Sequence, residues 1–245
     1  MKIIGIIPAR FASTRFEGKP LVEIDGKSMI QRTYEQAAKC TELTAIWVAT
    51  DDERIFNHVK NFGGNVIMTA DTHPSGTDRI AEALRIVATD VDAVINIQGD
   101  EPFIQPAQIE KVAAMLRQPH TQIATLAKQL NRNEDILNPN IVKVVFDANG
   151  KALYFSRSPI PYMRGVDPSV WVTHTNFYKH IGLYGYQNSI LFEITKLSPS
   201  RLELAESLEQ LRWLEAGFSI QIGITDLETI GIDTPEDLQK ISCRT

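Results

Sequence analysis

The chain has 245 residues, 43% of them hydrophobic and 22% charged, the profile of a folded globular protein and not of a disordered one. With 25 basic against 30 acidic side chains, a formal charge of −5, it lacks the broad positive field of a protein that coats nucleic acid or an anionic membrane, so affinity for phosphate must be concentrated in a few residues. Cys40 and Cys243 lie far apart with no metal-ligand spacing, the opening MKIIGIIPARFASTR lacks a signal-peptide core and cleavage site, and no stretch approaches the ~20 apolar residues of a membrane span, which predicts a cytoplasmic protein without membrane contact.

Short β-branched runs at residues 2–7, 45–49, 65–68 and 93–97 predict buried strands, each followed by helical periodicity. The helices expected between and after them cover residues 30–40, 53–62, 77–88 and 106–117, with Ile30, Tyr34, Ala37 and Ala38, then Ile55, Phe56, Val59 and Phe62, then Ile80, Ala83, Leu84 and Val87, then Ile109, Val112, Ala113 and Leu116 facing inward. This alternation predicts an α/β fold with a parallel sheet. From about Thr121 the texture changes. Residues 123–130, 142–146, 152–156 and 180–186 read as strands joined by short turns, one at Asn149-Gly150, which predicts a less regular, antiparallel region. Residues 159–179, with Pro159, Pro161, Gly165 and Pro168, show no period and predict a long loop or arm. A single helix is expected over 201–216, with Leu204, Leu208, Leu211 and Leu214 inward, then a strand at 219–224 and a last helix at 235–241 capped by Thr234. There are no internal repeats and no low-complexity linker.

Ligands in open α/β sheets bind outside the carboxyl ends of the strands. The first strand leads there into residues 8–20, PARFASTRFEGKP, where Arg10, Arg15 and Lys19 with the backbone near Gly18 suit a triphosphate; an ordinary basic surface loop is the plainer alternative. A P-loop is excluded, because the glycine it requires is Leu21 before Gly26-Lys27-Ser28 and Ser13 before Gly18-Lys19. No G-x-G-x-x-G follows a strand, which removes a Rossmann dehydrogenase. The fourth strand ends in Gln98-Gly99-Asp100-Glu101, and a carboxylate there, beside a glycine that permits close backbone approach, suits Mg²⁺ held against phosphate oxygens, or is simply a turn with solvated acids. Asp90-Val91-Asp92 spells D-x-D but precedes its strand, so it reads as turn residues at the opposite edge. Ser75, in HPSGTDR at residues 73–79, can bond a base or ribose or simply cap a helix, and Asp233 reads as part of a helix start.

These segments together resemble one family. P-A-R-x-x-S-T-R-x-x-G-K-P at 8–20, A-T-D-D at 49–52, H-x-S-G-T-D-R at 73–79 and Q-G-D-E-P at 98–102 are similar to the cytidylyltransferases that activate 3-deoxy-manno-octulosonate (Kdo). So are N-P-N-x-V-K-V-V at 138–145, A-L-Y-F-S-R at 152–157, H-I-G-L-Y-G-Y at 180–186, L-E-Q-L-R at 208–212 and D-T-P-E-D at 233–237. The resemblance implies a Rossmann-like nucleotide-diphospho-sugar transferase fold of the GT-A-like kind, with a mixed central sheet and a smaller antiparallel region. It implies one cytidylyltransferase domain, with a nucleotide-binding core at about 1–120 and 188–245 and a sugar-binding and subunit-contact region at about 121–187. The implied reaction is CTP + Kdo → CMP-Kdo + diphosphate, in lipopolysaccharide inner-core synthesis, by a Mg²⁺-dependent cytoplasmic homodimer. By the same resemblance Lys19, Arg10 and Arg15 cradle the phosphates, Asp100 and Asp233 hold Mg²⁺, and Ser75, Arg79 and Gln98 address the cytidine. Arg157, His180, Tyr184 and Gln210 then take the sugar acid. Glu17 departs from the proline that many members carry before Gly18-Lys19. The same chemistry on 8-amino-Kdo or another 2-keto sugar acid is the neighbouring reading, and a nucleotide-binding protein without catalysis is the reading of another class.

Overall fold

The β-branched runs of the first hundred residues become four parallel strands. The computed structural model describes residues 1–12, 16–87, 90–229, 231–232 and 234–242, the last four of these by backbone alone. The chain forms two compact units, residues 1–113 with 229–245, and residues 114–228.

In the first unit β1 (Ile3–Ala9) is followed by a small hairpin, β2 (Glu23–Ile24) and β3 (Lys27–Ser28), then α1 (Met29–Ala37), β4 (Ala45–Thr50), α2 (Glu53–Asn61), β5 (Val66–Met68), α3 (Gly76–Val87), β6 (Ala93–Asn96) and α4 (Pro106–Leu116), within which the first boundary falls. The parallel order is β6-β1-β4-β5, in register from Ile3 against Ala93, Ile4 against Ala45 and Val48 against Val66. Strands covered on both faces need near-continuous apolar sequence, and Ile3, Ile6, Ile7, Val48, Val94 and Ile95 are wholly buried. Ile30 and Ala37, Ile55 and Val59, Ile80 and Leu84, and Ile109 and Val112 are inside as expected, Tyr34, Phe56, Phe62 and Val87 are half-buried, and Ala38 is exposed because α1 ends at Ala37 and the chain turns away there. The β2-β3 hairpin was not legible in the periodicity; its turn places Asp25 at φ 47° and Gly26 at φ 77°, the backbone of a tight hairpin turn. Asp90 and Asp92 are indeed turn residues ahead of β6, bound to the Lys2 ammonium at 2.7 Å and the Lys2 amide at 2.6 Å.

The second unit holds β7 (Ile123–Leu130), α5 (Asn133–Leu137), β8 (Lys143–Phe146), β9 (Ala152–Ser156), β10 (Phe177–Gln187), α6 (Asn188–Ile194), α7 (Arg201–Glu206), α8 (Gln210–Glu215) and β11 (Ile220–Ile224). Its strands are mixed, with β11 parallel to β7, β7 antiparallel to β10, and β8 antiparallel to both β10 and β9. The α/β class with a mixed sheet and a small antiparallel sheet is therefore present as expected.

Two sequence expectations need correction. Residues 159–179 are not a featureless arm: a 3₁₀ helix, Pro168–Thr173, buries Trp171, which stacks on Phe177 at 5.8 Å and donates its indole N–H to the Val166 carbonyl at 2.9 Å. With Leu130 and Ile136 these rings form a satellite core, and the prolines and glycine hid it by erasing any period. The helix expected over 201–216 is broken in two at Ser207, which takes the left-handed conformation (φ 53°, ψ 50°). After the break the buried face shifts to Gln210, Leu211 and Trp213, while Leu204 is left 70% exposed. The leucine spacing is continuous through the break, so sequence pattern alone reads one helix; tertiary hydrogen bonds to the freed carbonyls decide otherwise. At the C-terminus Thr234 caps the helix Pro235–Ser242 as expected, accepting from the Asp237 amide at 3.3 Å.

Candidate active site

In the first unit the carboxyl ends of β1 and β6 meet. Pro8 and Gly99 lie so close that a Cβ on residue 99 would stand 3.0 Å from the Pro8 carbonyl oxygen, a tight contact that favours glycine here. Lys19 opens a 3₁₀ turn, Lys19–Leu21, behind Gly18 at φ 68°, and its ammonium donates to the Asp100 carboxylate at 2.7 Å. The pair is partly accessible, with side chains 15% and 30% exposed, so both groups remain within reach of an incoming ligand. Ile232 donates its amide to the Asp100 carbonyl at 3.0 Å, which returns the segment leading into D-T-P-E-D to this strand end. Asp233 itself lies outside the described residues, as does Arg15.

Arg10 donates to the His73 carbonyl at 2.5 Å, and burial, with the nearby Arg79 charge, lowers its pKa. The ring of Phe11 lies under the Arg54 guanidinium, 3.2 Å from its centroid, and closes against Gly18, where a Cβ would meet it at 3.1 Å. Ser75 acts at the start of α3, accepting from the Asp78 amide at 3.2 Å and donating to its carboxylate at 2.6 Å. Arg79 is wholly buried; its terminal nitrogens donate to Thr69 at 2.5 Å and to Asp51 at 2.7 Å, and its Nε has no partner among the described residues. Asp51 and Thr69 stand just beyond β4 and β5, so Arg79 braces the strand ends from inside. Gln98 follows β6 by two residues and its carbonyl accepts from the Glu101 amide at 3.2 Å.

In the second unit His180 and Tyr184 lie with ring centroids 5.2 Å apart. Strand alternation predicts a shared face, and a bulge brings the two closer: Ile181 pairs Leu126 and Tyr184 pairs Thr125, so two residues are inserted and the parity survives. Thr125 lies 3.1 Å from the His180 Nε2 and within 3.0 Å of the Ile181 and Leu183 carbonyls, holding the bulge. Tyr184 and Tyr186 both pack edge-on against Trp213, at 5.2 and 5.6 Å. Gln210, one helical turn before Trp213, is buried, and the Gln210 Nε2 and Trp213 Nε1 have no partner among the described residues. Buried donors without acceptors are costly, and these two have the chemistry to donate to hydroxyl oxygens. Trp213 and Thr125 were missed by sequence reading; the cue available was a tryptophan one turn beyond Gln210. Arg157, two residues past Phe155, donates to the carbonyls of Pro139 at 3.1 Å, Glu206 at 2.7 Å and Ser207 at 3.4 Å.

Burial pushes the His180 imidazole down from 6.5 to about 3. The folded chain thus holds His180 neutral while the unfolded chain protonates it, so its contribution to stability is present above pH 6.5 and is lost as pH falls toward 3. His180→Gln is expected to flatten the fall in urea midpoint over that window; parallel curves for the two proteins would contradict it.

The chain matches the cytidylyltransferase family over residues 4–226. It is 57% identical to a 3-deoxy-manno-octulosonate cytidylyltransferase of Parabacteroides distasonis, across 98% of this chain and 96% of that protein. The chain belongs to the 3-deoxy-manno-octulosonate cytidylyltransferase family. The Bacteroides thetaiotaomicron member is also 57% identical, again across 98% of this chain and 96% of its own. A CMP:2-keto-3-deoxy-manno-octonic acid synthetase solved with CTP superposes with a TM-score of 0.92 at 41% identity, covering 100% of this chain and 98% of that one. A 4-diphosphocytidyl-2C-methyl-D-erythritol synthase from Anaerococcus prevotii shares the fold, with a TM-score of 0.64 at 15% identity. Among the described residues no helix is long and apolar enough to cross a membrane.

Proposed function

We propose that the chain transfers CMP from CTP to the anomeric hydroxyl of Kdo, releasing diphosphate, and serves lipopolysaccharide inner-core synthesis as a cytoplasmic homodimer. The Lys19–Asp100 pair carries this reading: a cation and a carboxylate, both partly accessible, stand at the carboxyl ends of adjacent parallel strands, the place and the charges that nucleotidyl transfer uses. Family membership supports it independently.

In the reaction the Kdo 2-hydroxyl oxygen forms a bond to the α-phosphorus, the bond from that phosphorus to the β-phosphate bridging oxygen breaks, and the hydroxyl proton passes to solvent. Lys19, Arg10 and Arg15 cradle the phosphates. Asp100 and Asp233 are the residues that would hold Mg²⁺; an accessible carboxylate beside phosphate oxygens is a hard-oxygen donor set that suits this ion. Mg²⁺, when bound, supplies positive charge to the triphosphate. Ser75 and Gln98 face the cytidine, while Arg79, its guanidinium bound to Thr69 and Asp51, braces the ends of β5 and β4. Arg157 takes the sugar carboxylate, with His180, Tyr184 and Gln210 on the hydroxyls.

Diphosphate release with CTP and Mg²⁺ tests the reading, comparing Kdo, 8-amino-Kdo and N-acetylneuraminate at equal concentration. Kdo is expected to be the preferred acceptor. Preference for 8-amino-Kdo would keep the chemistry and change the substrate, and silence with all three would favour a nucleotide-binding protein without catalysis.

A further inference from the structure

Arg157 is held in an unusual way for a residue at a strand end: both polar groups of its own backbone are bound by charged side chains from elsewhere in the unit. Its amide donates to the Glu206 carboxylate at 2.9 Å, and its carbonyl accepts from the Lys143 ammonium at 2.5 Å. The Lys143 side chain is wholly buried within β8, opposite Ser156 in register. All three of its ammonium protons have acceptors, the third and second being the Asn138 carbonyl at 2.9 Å and the Ile141 carbonyl at 2.6 Å. Lys143 therefore ties the turn before β8, whose Pro139 carbonyl accepts from the Arg157 guanidinium, to the main chain of Arg157 itself. The other Glu206 carboxylate oxygen accepts from the Ser156 hydroxyl at 2.6 Å, and the Glu206 backbone carbonyl, freed by the helix break at Ser207, accepts from the Arg157 Nε at 2.7 Å.

We propose that Lys143 and Glu206 are positioning residues that set the direction of the Arg157 guanidinium for the sugar carboxylate, and so determine affinity for the acidic acceptor. This rests on the proposed function and deepens it. A buried lysine is an expensive way to stabilise a hairpin that apolar residues could pack. What an ammonium does that a methyl group cannot is draw three carbonyls from separate segments to one point, and here that point is adjacent to the one cation proposed to meet the acceptor's charge. Without Lys143 the Arg157 carbonyl and the Pro139 turn lose their common anchor, and the guanidinium fork loses the alignment that a bidentate carboxylate contact requires.

The test is steady-state diphosphate release by the full-length enzyme with Mg²⁺, varying Kdo at saturating CTP and CTP at saturating Kdo, for wild type, Lys143→Met and Glu206→Gln. Each variant is expected to raise the KM for Kdo about tenfold or more, with the KM for CTP within about twofold of wild type. In an Arg157→Met background Lys143→Met should add nothing further, because its effect passes through Arg157. A merely structural role would lower the active fraction and hence kcat, leaving both KM values in place. That result, or KM values for both substrates rising together, overturns the proposal. If Lys143→Met does not fold, Glu206→Gln, which keeps the side chain's size and one acceptor oxygen, decides alone by the same criterion. Wild-type enzyme inactive with Kdo overturns the proposed function and this inference with it; active wild type with unchanged variants overturns the inference only.

Discussion

Asp100→Asn is expected to lower turnover about 10²-fold or more while leaving CTP binding largely intact. Asparagine has the shape of aspartate, so the strand end packed against Pro8 and the hydrogen bond from Ile232 to the residue 100 carbonyl survive the change. The Lys19 ammonium, 2.7 Å from the carboxylate in this structure, still finds an amide oxygen and is freer to turn toward phosphate. What disappears is one negative charge at the place proposed for a cation held against the triphosphate, a loss expected to be felt as diphosphate leaves and much less when CTP first binds. Single-turnover diphosphate release beside equilibrium titration with CTP separates the two effects. Chelation with EDTA is expected to abolish release by wild type, with recovery on adding Mg²⁺. Near-normal turnover of Asp100→Asn would show that the charge is held elsewhere.

Arg79→Met is expected to destabilise the protein by about 3 kcal/mol, an amount typical of breaking a buried pair from one side. Arg79 is wholly enclosed, and its removal strands the Asp51 carboxylate and the Thr69 hydroxyl together. Asp51 keeps some contact with water, its side chain being 17% exposed, which places the loss at the lower end of the range for such pairs. For a chain of this length that corresponds to a fall of about 6–12 °C in Tm. Asp51→Asn, which keeps an acceptor for the guanidinium, is expected to cost less. Thermal scans of the three proteins check the order, and an unchanged Tm for Arg79→Met would show that the buried pair contributes little. The cause is a residue whose motif context suggests ligand contact but whose guanidinium is spent on Thr69 and Asp51 at the ends of β5 and β4.

The parallel strands and helices of the first unit were legible because each is a local pattern: β-branched runs for strands buried on both faces, three-to-four spacing for helices that cover them. The basic loop after β1 and the acidic pair after β6 were legible for the same reason, since topology alone sends both to the carboxyl edge. That Lys19 meets Asp100, 81 positions away, was not, and neither was the burial of Arg79. Strand alternation correctly grouped His180 with Tyr184, yet the bulge that draws them together depends on Thr125 from another strand.

The amino-acid sequence by itself determined the α/β class, the family, and the residue types available for a triphosphate and an acidic sugar, because periodicity and motif order are properties of neighbouring residues. Only the tertiary structure decided which of those charges are exposed for chemistry and which are bound internally, where the 201–216 helix breaks, and how Trp171 turns a proline-rich stretch into core. Those outcomes depend on hydrogen bonds and packing between residues 14 to 50 positions apart: Arg157 with the carbonyls of Glu206 and Ser207, Arg79 with Asp51, Lys143 with Arg157. A buried charge takes whatever partner the fold brings within reach, and one sequence read along its length does not contain that distance.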